Sequence, residues 1–337
     1  MRGAIFVGNR NIELREFPLP DPGPGEALVK IRASGLCGSD LGAYRREGES
    51  IFIGGHEPCG EVAALGPGVQ GPAVGTRVIV HHYSGCGHCK HCRAGWEQLC
   101  LVSHLVYGFS AHGGHADYIL IPARTLIPMP DEISFEHGAA LACGTGTAYG
   151  ALKKLDVSGR DTLVVYGQGP VGVSATLLAK GMGARVIAVD VNDGRLEFAK
   201  KLGADVVINS SKVDPIQTIY DLTHNEGADA ALDCTGKDEP RAQTCRSVRI
   251  WGRACFVGEG GSVTLMPSPD IIHRHLTLYG SWTFSTIMLE ECARFVVDRA
   301  IDMDLLISAR YPLEQVTEAY RSFEGGAAGK HVLVMPA

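Results

Sequence analysis

Thr162-Leu163-Val164-Val165-Tyr166-Gly167-Gln168-Gly169-Pro170-Val171-Gly172 decides the fold of this chain. The apolar run from Leu163 to Tyr166 reads as a strand covered on both faces, and Val171 to Lys180 as an apolar helix packed beside it. Between them the spacing is Gly-x-Gly-x-x-Gly. Gly167 allows the tight turn, Gly169 lets a pyrophosphate approach the backbone, and Gly172 lets the helix close on the sheet, with Pro170 and Val171 opening the first helical turn. Phosphate would meet the unpaired N–H groups and the positive dipole end of that helix. Asp190 closes the next apolar run, 18 residues beyond Gly172, where a carboxylate can accept hydrogen bonds from the adenosine ribose and repel a 2′-phosphate. NAD is favoured over NADP, with Arg195 near enough in sequence to leave NADP open.

Further runs lie around this turn. Arg185 to Asp190, Val206 to Asn209, Ala230 to Cys234, Ala254 to Val257 and Leu276 to Tyr279 are short apolar stretches separated by helix-length segments, which predicts a doubly wound parallel sheet. Upstream, residues 1 to about 145 read as short strands cut by Gly and Pro, among them Ala27 to Arg32, Gly60 to Leu65 and Arg77 to Val80. Downstream, Ile287 to Asp298 and Leu313 to Phe323 read as helices and His331 to Met335 as an apolar run. This tail is expected to return to the first lobe. Two lobes also suit a length of 337 residues.

Hydrophobic residues make up 45% and charged residues 20% of the chain, the balance of a packed globular protein. With 31 Lys+Arg against 37 Asp+Glu there is no positive excess to hold a nucleic acid. Neither a run of 18 apolar residues nor a leader pattern is present, so no membrane partner is expected and the predicted compartment is the cytosol.

In such a compartment eleven cysteines point to metal or to burial rather than to disulfides. Cys86, Cys89, Cys92 and Cys100 are spaced x2, x2 and x7, close enough to close a tetrahedral shell around Zn²⁺, and a closed shell makes that zinc structural. Gly85, Gly87 and Gly95 ease the turns, and His88 and His91 could substitute as ligands, although four Cys suffice and solvated loop histidines are the plainer reading. Disulfides or free thiols are the competing readings. Cys59, Cys234, Cys245, Cys255 and Cys292 lack metal-like spacing and read as buried apolar residues.

Three more segments carry possible ligands: Cys37-Gly38-Ser39-Asp40, Gly55-His56-Glu57 and Ala142-Cys143-Gly144. Taken singly, each is equally a core Cys or a satisfied His. Taken in order, Gly55-His56-Glu57-x2-Gly60-x5-Gly66-x2-Val69, the four-Cys lobe, the stretch from Gly144 to Gly150 and the nucleotide turn make a pattern. By that pattern the chain resembles the zinc-containing medium-chain dehydrogenase/reductase family over nearly its whole length.

The resemblance implies an α/β chain with a GroES-like β-barrel catalytic domain at 1–148 and 283–337, a structural zinc lobe at about 84–102, and a doubly wound Rossmann domain at 149–282. It places the active site between the two domains. It implies that Cys37, His56 and Cys143 hold a catalytic zinc, two zinc ions per chain in all, with Glu57 beside the metal or as an alternate ligand. Three protein ligands leave one position open for a substrate oxygen. Ser39 is read as the group that passes the hydroxyl proton outward, and Asp40 as the partner that fixes the tautomer of His56. Many relatives carry a relay His five residues after the first ligand, where this chain has Gly42; either water or another group such as His112 or His115 takes its place, or the relay runs differently. Gly42 also leaves room near the pocket mouth.

Tyr44, in the charged segment Tyr44-Arg45-Arg46-Glu47-Gly48-Glu49, and Trp282 fall where relatives line the substrate pocket. Charge there favours a polyol, a sugar-derived alcohol or an amino-alcohol, although ordinary surface charge explains the same residues equally well. The expected activity is hydride transfer between such a secondary alcohol and NAD. An NADPH-preferring carbonyl reductase of the same family and a non-catalytic zinc-stabilised nucleotide-binding protein are the alternatives, and the resemblance implies a homo-oligomer, dimer or tetramer.

Overall fold

In the computed structural model, which describes residues 1–336, the chain forms two compact units. One runs from Met1 to Gly146 and resumes at Phe284; the other is Thr147–Thr283.

The second unit is built on six strands in the order Val206–Asn209, Arg185–Asp190, Thr162–Tyr166, Ala228–Asp233, Val248–Phe256, Thr277–Gly280, and every pairing is parallel. Chain order reverses on either side of Thr162–Tyr166, so the carboxyl end of that strand is the switch point where such sheets bind ligands. Leu163, Val164 and Val165 are fully buried, as a strand covered on both faces requires. Strand Val248–Phe256 starts six residues before the apolar run that announced it, because Ile250 and Trp251 stand exposed at its outer end while the backbone already pairs. Strand Ala228–Asp233 likewise begins two residues early.

The first unit centres on a mostly antiparallel seven-stranded sheet. Its order is Ile307–Pro312, Lys330–Val334, Glu26–Gly35, Pro58–Leu65, Arg77–Val80, Leu126–Pro128, with Tyr118–Pro122 also pairing with Glu26–Gly35. The tail therefore supplies an interior strand: Val332 to Val334 face Gly35 to Ala33. Phe6, Val29, Ile31, Tyr44, Ile121, Tyr320 and Leu333 form one buried cluster with the amphipathic helix Val316–Glu324 laid against it. Burying each such side chain contributes about 1.5–3 kcal/mol.

Helix Phe135–Ala140 runs into a five-residue π turn, Leu141–Thr145, before α-helix resumes at Gly146. Such widened turns rotate one side chain out of helical register and are frequent at functional sites. Here the turn carries Cys143. No described helix is long and apolar enough to cross a membrane.

Gly55 precedes His56 with φ +84, and a Cβ there would lie 2.3 Å from the ring of buried His115. Left-handed backbone and a close approach both demand glycine. Gly55→Ala is expected to lower unfolding free energy by about 2–4 kcal/mol, from combined backbone strain and overpacking, as read from the midpoint of a urea titration.

Candidate active site

One Sγ from Cys37, one from Cys143, a ring nitrogen of His56 and a carboxyl oxygen of Glu57 all lie within 4.8 Å of one another, and all four residues are buried. Each arrives from a different local structure. Cys37 follows strand Glu26–Gly35, and its N–H donates to Asp40 Oδ2 at 2.9 Å, which closes the turn into the short helix Asp40–Arg45. His56 and Glu57 enter strand Pro58–Leu65, and Cys143 comes from the π turn.

His56 is oriented from behind. Its Nδ1–H donates to Asp40 Oδ1 at 2.8 Å, which leaves the Nε2 lone pair facing the thiols, with Ser39 Oγ 3.3 Å away on the same side. Burial pulls the imidazolium pKa down, but the Asp40 carboxylate and the Cys37 thiolate outweigh it, so the His56 pKa sits well above its ordinary value. The Cys37 pKa falls well below the thiol range: Cys143 donates to it and His56 and Lys330 face it. Behind Glu57 the ammonium of Lys330, itself buried, pairs with Oε2 and donates to Leu36 O at 2.8 Å. Burial pushes the Glu57 carboxyl up to about 8 against the pull of Lys330.

Apart from Lys330 on Oε2, no donor reaches Glu57, and Oε1 is left without a partner. Two soft sulfurs, an imidazole nitrogen and a carboxyl with one unpartnered oxygen, all buried, make a donor set that fits Zn²⁺. The second cluster, Cys86, Cys89, Cys92 and Cys100, also converges within 4.8 Å, with Cys89 Sγ 3.5 Å from Cys92 Sγ and 3.9 Å from Cys100 Sγ. Four thiolates on tetrahedral zinc stand about 3.8 Å apart, given Zn–S bonds of about 2.3 Å. Backbone N–H groups of Ser103, Cys86 and Val102 lower the Cys100 thiol to about 6, prepared for metal.

At the switch point Gly167 has φ +87, and a Cβ on Gly172 would meet Gly167 O at 1.7 Å. A Cβ on Gly169 would meet nothing within 4 Å, which leaves a backbone-lined space at the start of helix Pro170–Gly181. Pro170 and Val171 form its first turn. Asp190 accepts from the N–H groups of Gln168, Val191 and Asn192 at 2.7, 2.8 and 3.0 Å, which leaves one of its roughly four lone-pair positions open to a further donor. Arg195 approaches the same carboxylate at 4.0 Å.

Comparison with known proteins matches residues 23–131 to the alcohol dehydrogenase GroES-like domain and 170–298 to the zinc-binding dehydrogenase domain. The chain is 39% identical to an uncharacterized zinc-type alcohol dehydrogenase-like protein, YphC, of Escherichia coli K12, covering 100% of this chain and 99% of that one. It belongs to the zinc-type medium-chain dehydrogenase family. An L-threonine 3-dehydrogenase of Pyrococcus horikoshii is 33% identical over 96% of this chain and 95% of its own. Among solved structures an alcohol dehydrogenase from Thermus sp. ATN1 superposes with a TM-score of 0.92 at 28% identity, covering 100% of both chains. The fold is thus a GroES-like domain joined to a Rossmann domain, and the family is one of oxidoreductases.

Several expectations for this dehydrogenase need correction. Tyr44 does not line a substrate pocket: its ring is 1% exposed and packs on Phe6 and Tyr320 in the core. Its charged neighbours are tied up at the surface, Arg45 by Glu324 and Glu49 by Arg15. Neither histidine offered for the missing relay joins the site to solvent: His112 is exposed but contacts none of the four cluster residues, and His115 is closed off from water. His112 accepts from Ile53 N and packs on Phe17 and Phe52, and His115 is wholly buried. Cys234 is half-buried, unlike Cys59, Cys245, Cys255 and Cys292. Trp282, 39% exposed, follows the last parallel strand. A Cβ at Gly42 would meet nothing within 4 Å, so that position is open.

Lys330, His82 and Phe109 escaped the sequence reading. The rings of His82 and Phe109 lie 4.9 and 5.1 Å from that of His56. Burial keeps His82 neutral, and its Nδ1–H donates to Ala142 O at 3.3 Å, one residue before Cys143. The signal for Lys330 was a charge opening an otherwise apolar strand. Lys330→Met is expected to lower the stability of the metal-free protein by about 3–5 kcal/mol near pH 8, because Glu57 loses its counter-charge. Without Lys330 the Glu57 pKa rises further above its unfolded value, so the deficit shrinks towards pH 5, where the carboxyl of the folded protein is protonated with or without Lys330. Thermal melts across that range check both the size and the sign.

Proposed function

We propose that this dehydrogenase oxidises a secondary alcohol by hydride transfer to NAD, with zinc held at Cys37, His56 and Cys143 and a second, structural zinc at Cys86, Cys89, Cys92 and Cys100. The convergence of four buried donors within 4.8 Å, one of them oriented by Asp40, carries the reading. When bound, zinc supplies a Lewis acid that makes the substrate hydroxyl more acidic, and NAD supplies the hydride acceptor.

The chain's own residues do the rest. Cys37, Cys143 and His56 Nε2 present three ligands from three elements. Asp40 holds the proton on His56 Nδ1, so that Nε2 is the nitrogen offered to a metal. Ser39 Oγ, exposed and 3.3 Å from that nitrogen, accepts the proton the hydroxyl gives up and hands it to water, which takes over the task of the absent relay histidine at Gly42. Lys330, paired with Glu57, supplies positive charge beside the thiols. Asp190 accepts from the adenosine ribose and repels a 2′-phosphate.

The substrate we infer is a polyol, sugar-derived alcohol or amino-alcohol in the cytosol. The kinship with L-threonine 3-dehydrogenases and the open position at Gly42 support it. Initial rates of NADH formation over polyols, amino-alcohols and simple secondary alcohols, with NADP run in parallel, test the reading; no turnover of any of them by zinc-loaded enzyme would refute it.

Cys37→Ser is expected to cut kcat by at least about a thousandfold and to halve zinc content while NAD binding, followed by nucleotide fluorescence, persists. Asp190→Ala is expected to relax the preference for NAD over NADP about tenfold or more in kcat/KM, and to cost about 1–3 kcal/mol by stranding turn N–H groups, checked by paired kinetics and melts.

A further inference from the structure

Asp40 is held on its other side as well. Tyr320 O–H donates to Asp40 Oδ2 at 2.9 Å, and His115 Nε2 lies 2.8 Å from the same Tyr320 oxygen. His115 Nδ1 in turn lies 2.9 Å from Ser34 Oγ. Ser34, Asp40, His115 and Tyr320 are each 1% exposed or less.

Every hydrogen in this chain of contacts can be placed. Asp40 is a pure acceptor, so His56 Nδ1, Cys37 N and Tyr320 Oη must all donate to it. With its own hydrogen spent on Asp40, the Tyr320 oxygen accepts from His115 Nε2–H, and His115 Nδ1 is left to accept from Ser34. Burial lowers the His115 pKa to about 4, so the ring is neutral and has one hydrogen to give, as the assignment needs. The line ends at Ser34, inside strand Glu26–Gly35, and does not reach water. It is built to hold a direction, not to carry protons out.

We infer that Tyr320 and His115 are positioning residues for the metal site: through Asp40 they fix the ring plane and tautomer of His56. Tyr320 lies in the helix Val316–Glu324 and His115 in the loop before strand Tyr118–Pro122, so two distant segments converge on one carboxylate. The Tyr320 ring is separately anchored on Phe6 at 5.2 Å and on Tyr44 at 5.3 Å. Removing the hydroxyl alone therefore leaves the packing in place. This is where buried Tyr44 finds its use, as a wall for Tyr320.

The inference rests on the reading that Cys37, His56 and Cys143 hold zinc, and the test separates the two. Tyr320→Phe, His115→Phe and the double variant are made in the full-length zinc enzyme. Three quantities are measured: zinc transfer to a colorimetric chelator, the visible absorption of the Co²⁺-substituted protein, and the melting midpoint. Tyr320→Phe is expected to release the zinc at Cys37, His56 and Cys143 about three- to tenfold faster, the low end for loss of an outer partner of a metal-bound His, and to shift the Co²⁺ bands. The zinc at the four-Cys lobe should leave at its wild-type rate.

The double variant discriminates positioning from packing. With both polar partners replaced by apolar rings of similar shape, the melting midpoint should recover towards wild type, while zinc release stays fast. Unchanged zinc release and Co²⁺ bands in Tyr320→Phe would overturn the inference, and so would recovery of retention together with the midpoint in the double variant. A wild-type enzyme that takes up zinc only at the lobe would instead overturn the metal-site reading, a failure visible before any variant is made.

Discussion

Two thiols, an imidazole and a carboxyl brought within 4.8 Å in a dry pocket cannot all adopt their metal-binding forms without positive charge beside them. That requirement shapes the first unit. The Lys330 ammonium answers part of it from one side, reaching Glu57 and a backbone carbonyl from the last strand of the chain. In the proposed reading a divalent ion would answer the remainder. Gly35 is part of the same solution: a Cβ there would fall 2.0 Å from Glu57 Oε2 and 2.8 Å from Lys330 Cε, so the strand must be bare where the pair passes. The path of the tail, the composition of strand Glu26–Gly35 and the chemistry of the pocket are thus one problem solved together.

The parts of this molecule that sequence reveals are those whose chemistry is local. Gly167, Gly169, Gly172 and Asp190 are legible because strand, turn and helix are contiguous, and each residue's task follows from its place in one short motif. The four-Cys lobe is legible for the same reason, since a chain of fifteen residues, Cys86 to Cys100, can close on a metal without outside help. Cys37, His56 and Cys143 are different. Spacing alone left them as core residues or ligands, and only the order of motifs along the chain joined them.

What remained hidden was the environment of those candidate ligands. His115 lies 205 residues from Tyr320, and Lys330 294 from Leu36, separations over which periodicity says nothing. Tyr44 shows the opposite hazard. Its place beside charged residues drew it towards the substrate, but a short helix turns its one aromatic ring inward, onto Phe6 and Tyr320, while the charged residues from Arg45 to Glu49 stand exposed. The π turn at Cys143 left no trace either, because Leu141 to Thr145 are all buried and any helical spacing accommodates them.

The interrupted layout of the first unit has a consequence for the order of events during synthesis. Thr147–Thr283 is continuous, so it can complete its sheet as soon as it leaves the ribosome. Cys37, His56 and Cys143 emerge earlier, yet their buried partners Tyr320 and Lys330 come almost last, and strand Glu26–Gly35 waits through some three hundred residues for its neighbour Lys330–Val334. For that interval the nascent chain carries exposed thiols and an unpaired strand edge beside a finished nucleotide domain, the kind of surface that chaperones and adventitious metals encounter first.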